Sequence, residues 1–248
     1  MYILEGCVDS LESAIQAEKG GANRIELCSN LIIGGTTPSI NLFHMVKEHV
    51  DIKINVLIRP RFGDFCYTDD EFEVIKREVK MFKEAGADGI VIGILKPDGT
   101  LDIDRIKVIM DIVKGMHVTL HRAFDMCKNP LEALEQAKEL GINTILTSGQ
   151  KNTCYQGKEL IRKLVKSAKG SVDILIGGGV KFEIIEELFQ VTGATSYHMS
   201  GKEIINSSMK YRKEEVNMGL ASLSEYTIWQ TSSKKISQVK DILEKLIR

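Results

Sequence analysis

No apolar run in this 248-residue sequence approaches the ~20 residues that cross a bilayer, which excludes a membrane-spanning helix and leaves a water-soluble domain as the expectation. The opening MYILEGCVDS has neither a basic lead nor a small-residue cleavage pattern, and it reads directly as a strand rather than as a secretory signal. An excess of either charge is also missing. Thirty-three basic residues face 34 acidic ones, and no long basic stripe is present, so nucleic acid is not an expected partner and neither is a membrane. Cysteine is sparse and odd in number, five in a chain too large to need disulfide staples, which points to free thiols in the cytoplasm. No linker or low-complexity stretch divides the chain, so residues 1–248 are read as a single domain.

What is present is a rhythm. Short runs rich in β-branched residues alternate with helical stretches, and breakers fall between them. The β runs cover residues 2–8, 24–28, 54–59, 89–95, 117–122, 143–147, 172–176 and 197–200. Helices are predicted at LESAIQAEKGGA, which ends on a glycine pair, and near residues 40–49, 69–85, 102–114, 130–140, 158–168, 182–189 and 238–247. Eight βα units without Asn-Gly hairpin signals argue for a parallel sheet covered by helices, and eight favour closure into a TIM (β/α)₈ barrel of α/β class. A doubly wound sheet should carry a Gly-rich turn after its first strand, where this chain has the glycine-poor CVDSLES. Residues 201–235 read as a long irregular segment, a lid or an oligomer contact, before the last helix.

In such a barrel the strand C-termini open into the working mouth. Glu5 with Cys7, and Glu26 with Cys28, are each spaced by two and so share a strand face in a repeated E-x-C pattern. Strand three ends in Arg59 and Arg61, strand five in His121, Arg122 and Asp125, a grouping that could tune the imidazole for proton transfer, and strand eight in His198 and Ser200. Glu5, Glu26, Arg59, Arg61, His121, Asp125 and His198 are therefore the candidate catalytic groups. The plainer alternatives are cysteines that pack as small hydrophobes, a structural ion-pair ring in which Arg59 or Arg61 compensates the carboxylates, and a histidine that orients a loop. The loops TSGQ, GGGV and MSG offer Ser148, Gly149, Gly177, Gly178, Gly179 and Ser200 for an anion, unless the glycines merely make tight turns. A Schiff-base mechanism lacks its residue, since none of the eight runs ends in lysine.

The motifs RIELCSNLIIGGTTPS, VLIRPRFGDFCY, TLHRAFD, ILTSGQ, IGGGV and YHMSG resemble, in order, those of the CutC family, described as copper homeostasis proteins, over roughly the first 200 residues. That resemblance implies a TIM barrel, a cytoplasmic location, assembly as a homo-oligomer and Cu(I) binding, with Cys7 and Cys28 at the matching places. Two cysteines on neighbouring strands could hold Cu(I), which favours soft ligands at low coordination number, although the chain has no C-x-x-C or Met-rich tract. Two functions are carried forward. One is a copper-binding homeostasis protein. The other is an enzyme, an isomerase, lyase or hydrolase, acting on a small phosphorylated or otherwise anionic metabolite.

Overall fold

A computed structural model describes residues 1–213, 215–220 and 223–247. Eight parallel strands, β1 (Ile3–Val8), β2 (Arg24–Leu27), β3 (Lys53–Leu57), β4 (Gly89–Ile92), β5 (His117–Leu120), β6 (Thr144–Thr147), β7 (Asp173–Ile176) and β8 (Ser196–Met199), hydrogen-bond in sequence order, and β8 returns to β1. The sheet closes into a TIM barrel. Its helices are α1 (Leu11–Lys19), α2 (Ile40–Lys47), α3 (Asp69–Glu84), α4 (Ile103–Ile112), α5 (Pro130–Glu139), α6 (Lys158–Ala168), α7 (Phe182–Thr192) and α8 (Ser233–Leu246). Local chemistry sets several of their starts. Ser10 and Ser39 cap α1 and α2, Thr68 and Glu71 form a reciprocal capping box on α3, and Asn129 followed by Pro130 opens α5.

Alternation along the strands divides the protein into two interiors. One parity, including Leu4, Ile25, Val56, Ile90 and Ile145, faces the helices and joins Phe43, Phe82 and Leu188 in the principal apolar core. The other parity points into the barrel and is largely polar. Glu5, Arg24, Glu26, Asn55, Thr119, Thr144 and Ser196 are all buried there. Glu5 is fully enclosed; Arg24 donates its Nε to Oε2 at 2.5 Å, Asn55 Nδ2 donates to the same oxygen at 3.4 Å, and His198 Nδ1 lies 2.8 Å from Oε1. The expected partners Arg59 and Arg61 are not those of Glu5. Register explains the exchange, because Glu5 stands directly opposite Arg24 on β2 and His198 on β8, whereas Arg59 and Arg61 lie beyond the end of β3.

The segment after β8 departs from the irregular reading. Lys202–Asn206 and Thr227–Thr231 form antiparallel strands β9 and β10, with Trp229 opposite Ile204, and α8 starts at Ser233, earlier than predicted. Ile236, Val239 and Leu243, all buried, carried the helical spacing that marks this longer helix. The hairpin is harder to read because its strands are joined by a connection too long for turn chemistry to specify. No helix among the described residues is long and apolar enough to cross a membrane.

The Glu5 cluster yields a pH prediction. Burial alone would raise the Glu5 pKa, but Arg24 and His198 outweigh it and hold the carboxyl down at about 2. A group depressed in the folded state contributes stability above its unfolded value, near 4.5, and loses that contribution as pH falls towards about 2. The full contribution is on the order of 3 kcal/mol. Urea unfolding between pH 6 and pH 2 is expected to show this acid-side loss in the wild type and a flattened profile in Glu5→Gln. Arg24→Met, which leaves the carboxylate buried without its cation, is expected to cost about 3–5 kcal/mol near neutrality. An acid limb unchanged in Glu5→Gln would refute the assignment.

Candidate functional site

A cavity of about 380 Å³ opens at the strand C-termini, and its lining includes Cys7, Glu26, Arg59, His121, Arg122, Gly178, Gly179, His198 and Ser200. Leu57, Phe65, Leu146 and Met199 supply apolar wall. Its size suits a small molecule or an ion with its surroundings.

One side of the cavity is built from β1, β2 and β8. Cys7 stands opposite Glu26 in the β1–β2 ladder and donates its thiol to Glu26 Oε1 at 3.5 Å. Ligand atoms of Cys7, Glu26 and His198 all lie within 4.8 Å of one another. Because Nδ1 of His198 is held by Glu5 one layer below, the other ring nitrogen is the one left for this group. Contact with the Cys28 thiol, burial and the nearby Glu26 carboxyl push the Cys7 thiol well above its usual pKa. Glu26 is raised chiefly by burial, with the Glu5 charge adding to it, against the opposing pull of His198, and its Oε2 has no hydrogen-bond partner among the described residues. Burial pulls His198 down, but Cys7, Glu26 and Glu5 outweigh it and raise the imidazole well above its usual value. Cys28 is fully buried, packs with Cys7, Leu57 and Val91, and donates to the carbonyl of Val8 at 3.4 Å. All five cysteines are free thiols.

The other side is built from the ends of β3, β5 and β7. Arg59 donates to the carbonyls of Gly35 (3.0 Å) and Gly63 (2.8 Å), and its guanidinium lies 5.0 Å from the Phe65 ring centre. His121 caps the short 3-10 turn Arg122–Met126 by accepting from the Ala123 N–H at Nδ1, 3.0 Å. Burial, reinforced by the Arg59 charge, pulls its pKa down to about 3, so the ring is neutral with its proton on Nε2.

Several expected members sit elsewhere. Glu5 lies beneath the cavity with both oxygens engaged, where it positions His198. Arg61 turns away and bonds Glu71, Asp64 and the Cys66 carbonyl. Asp125 is not beside His121; its carboxylate accepts from Arg122, Ser148 and the Gln150 N–H and knits the loop after β6 to the turn after β5. Ser148 is consumed in that network, Gly149 packs on Gly157, and the Gly177 N–H continues the ladder to Thr147. Residues that sequence reasoning passed over include Arg24, whose signal was the R-x-E-x-C alternation on one strand face, and Arg122, noted only as a neighbour of His121.

Comparison with known proteins follows the same outline. The profile described as CutC family matches residues 2–203. A human protein named copper homeostasis protein cutC homolog is 42% identical over 247 residues, covering 99% of this chain and 90% of that protein. A Bacteroides fragilis protein named as a CutC family protein is 40% identical over 247 residues, covering 99% and 97%. A CutC crystal structure from Streptococcus agalactiae superposes with a TM-score of 0.76 at 30% identity, over 81% of this chain and 99% of that one. A thiamine phosphate pyrophosphorylase from Pyrococcus furiosus, TM-score 0.58 at 17% identity, shares the barrel fold alone. Shared motifs, a closed eight-stranded barrel and identity along nearly the whole chain establish that this protein belongs to the CutC family of copper homeostasis proteins.

Proposed function

We propose that this protein serves copper homeostasis in the cytoplasm by binding Cu(I) at the barrel mouth, with Cys7 as the principal ligand, Cys28 as the second thiol and His198 completing the set. The observation that carries this reading is the convergence of thiol, imidazole and carboxylate atoms within 4.8 Å, with a second thiol packed on the first. Metal–ligand distances of about 2.0–2.3 Å place ligand atoms roughly 3–4 Å apart, so only small side-chain shifts are needed. A thiol pair with an imidazole is the soft, low-coordinate donor set that suits Cu(I). Glu5 on Nδ1 of His198 is the outer carboxylate that metal-ligating histidines characteristically have. Glu26 is the harder donor, and its place beside the Cys7 sulfur suits it to take the thiol proton that metal binding displaces. Free thiols throughout the chain fit a reducing compartment.

Anaerobic titration against a colorimetric Cu(I) chelator is expected to show a single Cu(I) per chain, bound more tightly as pH rises because the raised Cys7 thiol must deprotonate. Cys7→Ser with Cys28→Ser is expected to abolish competition, and Glu5→Gln to weaken binding about tenfold or more through the loss of its hold on His198. Wild-type affinity in the double cysteine variant would overturn the assignment.

The hairpin favours assembly as a homo-oligomer. Ile205 is 37% exposed and Ile228 51%, and they stand opposite each other in the β9–β10 ladder, an apolar pair on one face of the two-stranded sheet that a second copy would cover. Light scattering after size exclusion is expected to give a multiple of the chain mass for the wild type and a smaller species for Ile205→Lys with Ile228→Lys. A wild type that runs as a monomer at micromolar concentration would refute this.

A further inference from the structure

The copper reading uses only the thiol side of the cavity and leaves the cationic side unexplained. Arg59 is 7% exposed, and among the described residues no carboxylate pairs with it; its two terminal nitrogens meet backbone carbonyls and its buried Nε has no partner. A guanidinium cannot shed its proton, so that charge stays in place with carbonyl dipoles and the Phe65 ring face, but no anion, to offset it among the described residues. His121, 5% exposed, has a buried Nε2–H that likewise finds no acceptor among the described residues. Both side chains line the cavity.

Where β7 ends, the same cavity is lined by Gly178 and Gly179, with φ of +88° and +85°. Among the described residues, hydrogen bonds use neither their backbone N–H groups nor that of Val180. A Cβ on Gly178 would lie 2.9 Å from Ser148 Cβ and 3.6 Å from Arg122 Nη1, so a side chain there would crowd the cradle. Arg122 is anchored through Asp125 and Ser148, both at 2.7 Å, and its Nη1, beside the glycines, has no acceptor among the described residues. The Ser200 hydroxyl, also on the cavity, has no partner among the described residues. Successive N–H groups in a left-handed glycine turn form an anion-binding concavity.

We propose that the mouth cavity binds the phosphate group of a small phosphate monoester, held by Arg59, His121, Arg122, the Gly178–Gly179 amides and Ser200, independently of the thiols. So many unspent donors around one space fit a tetrahedral dianion better than a carboxylate, which has too few acceptor sites to meet them. A cavity of about 380 Å³ restricts the rest of the molecule to a short, few-carbon body. Glu26, the acid on the cavity wall, lies on the thiol side and faces that body rather than the phosphate.

Calorimetry and thermal unfolding of metal-free protein with inorganic phosphate and with glycerol 3-phosphate test this, with sodium chloride at matched ionic strength and sodium acetate as controls. Both phosphate probes are expected to bind saturably and raise the Tm beyond either control. Ser200→Ala is expected to weaken binding about tenfold, in line with one lost charge-assisted hydrogen bond. Gly178→Ala should abolish it, as should Arg59→Met if that variant folds, and the doubly Ser-substituted Cys7/Cys28 protein should bind phosphate as the wild type does. The proposal is overturned if neither probe outperforms sodium chloride, if acetate matches phosphate, or if Ser200→Ala and Gly178→Ala both retain wild-type affinity. Loss of phosphate binding in the double cysteine protein would place the anion on the thiol side and overturn the assignment to Arg59 and the glycines, whereas loss of Cu(I) binding alone leaves it intact.

Discussion

A carboxylate with no access to water sits at the centre of this barrel, and its neutralisation organises what lies above it. Glu5 is held from β2 by Arg24, from β3 by Asn55 and from β8 by His198. Burying a lone carboxylate would cost far more than the fold can spare, so these contacts must form together with the barrel rather than decorate it afterwards. Each partner arises from a different strand, and the pairing therefore also reports that the ring has closed in the correct register. A one-residue slip of β2 would turn Arg24 outward and Ile25 inward, leaving a charge without its counterpart.

The same contacts aim the chemistry at the mouth. With Nδ1 of His198 committed to Glu5, its remaining nitrogen is delivered to Cys7 and Glu26, and the rotamer freedom that a long-range ligand would otherwise lose on binding is already spent. Below the cavity both oxygens of Glu5 are engaged, while Arg24 Nη2 and Thr119 Oγ1 are buried without a partner among the described residues. On the residues that line the cavity, Glu26 Oε2, His121 Nε2 and Arg59 Nε also lack partners among the described residues. Buried polar groups are ordinarily paired, so three such atoms on residues that line one cavity mark it more sharply than any single residue does. The cavity also has two characters, thiol and carboxyl on the β1–β2 side and cationic donors on the β3, β5 and β7 side, and the copper and phosphate proposals rest on one each.

Much of the site was legible as position. Placing polar residues at strand ends brought Cys7, Glu26, Arg59, His121, His198 and Ser200 to one cavity, because in a parallel barrel all strands point the same way and their ends must share a rim. Depth and partnership were not legible. Glu5 and Cys7 share a strand face, yet two residues of rise are enough to put one beneath the cavity floor and the other on its wall. Arg61, two residues past Arg59, was captured by Glu71 at the start of α3, a competition that depends on where that helix lands. Asp125, three residues from Arg122 in a tight turn, found the loop after β6 rather than the imidazole.

The order of strands and helices, the closure they imply, the face on which each polar residue lies and the family all follow from the linear sequence, since periodicity, capping residues and long motifs are local properties written along the chain. Which cation neutralises Glu5, whether a glycine's N–H is free or spent, and how an apparently irregular tail pairs β9 with β10 were decided only when distant segments met. Those outcomes depend on inter-strand register and on competition among partners tens to nearly two hundred residues apart, and nothing local to any one of them sets either.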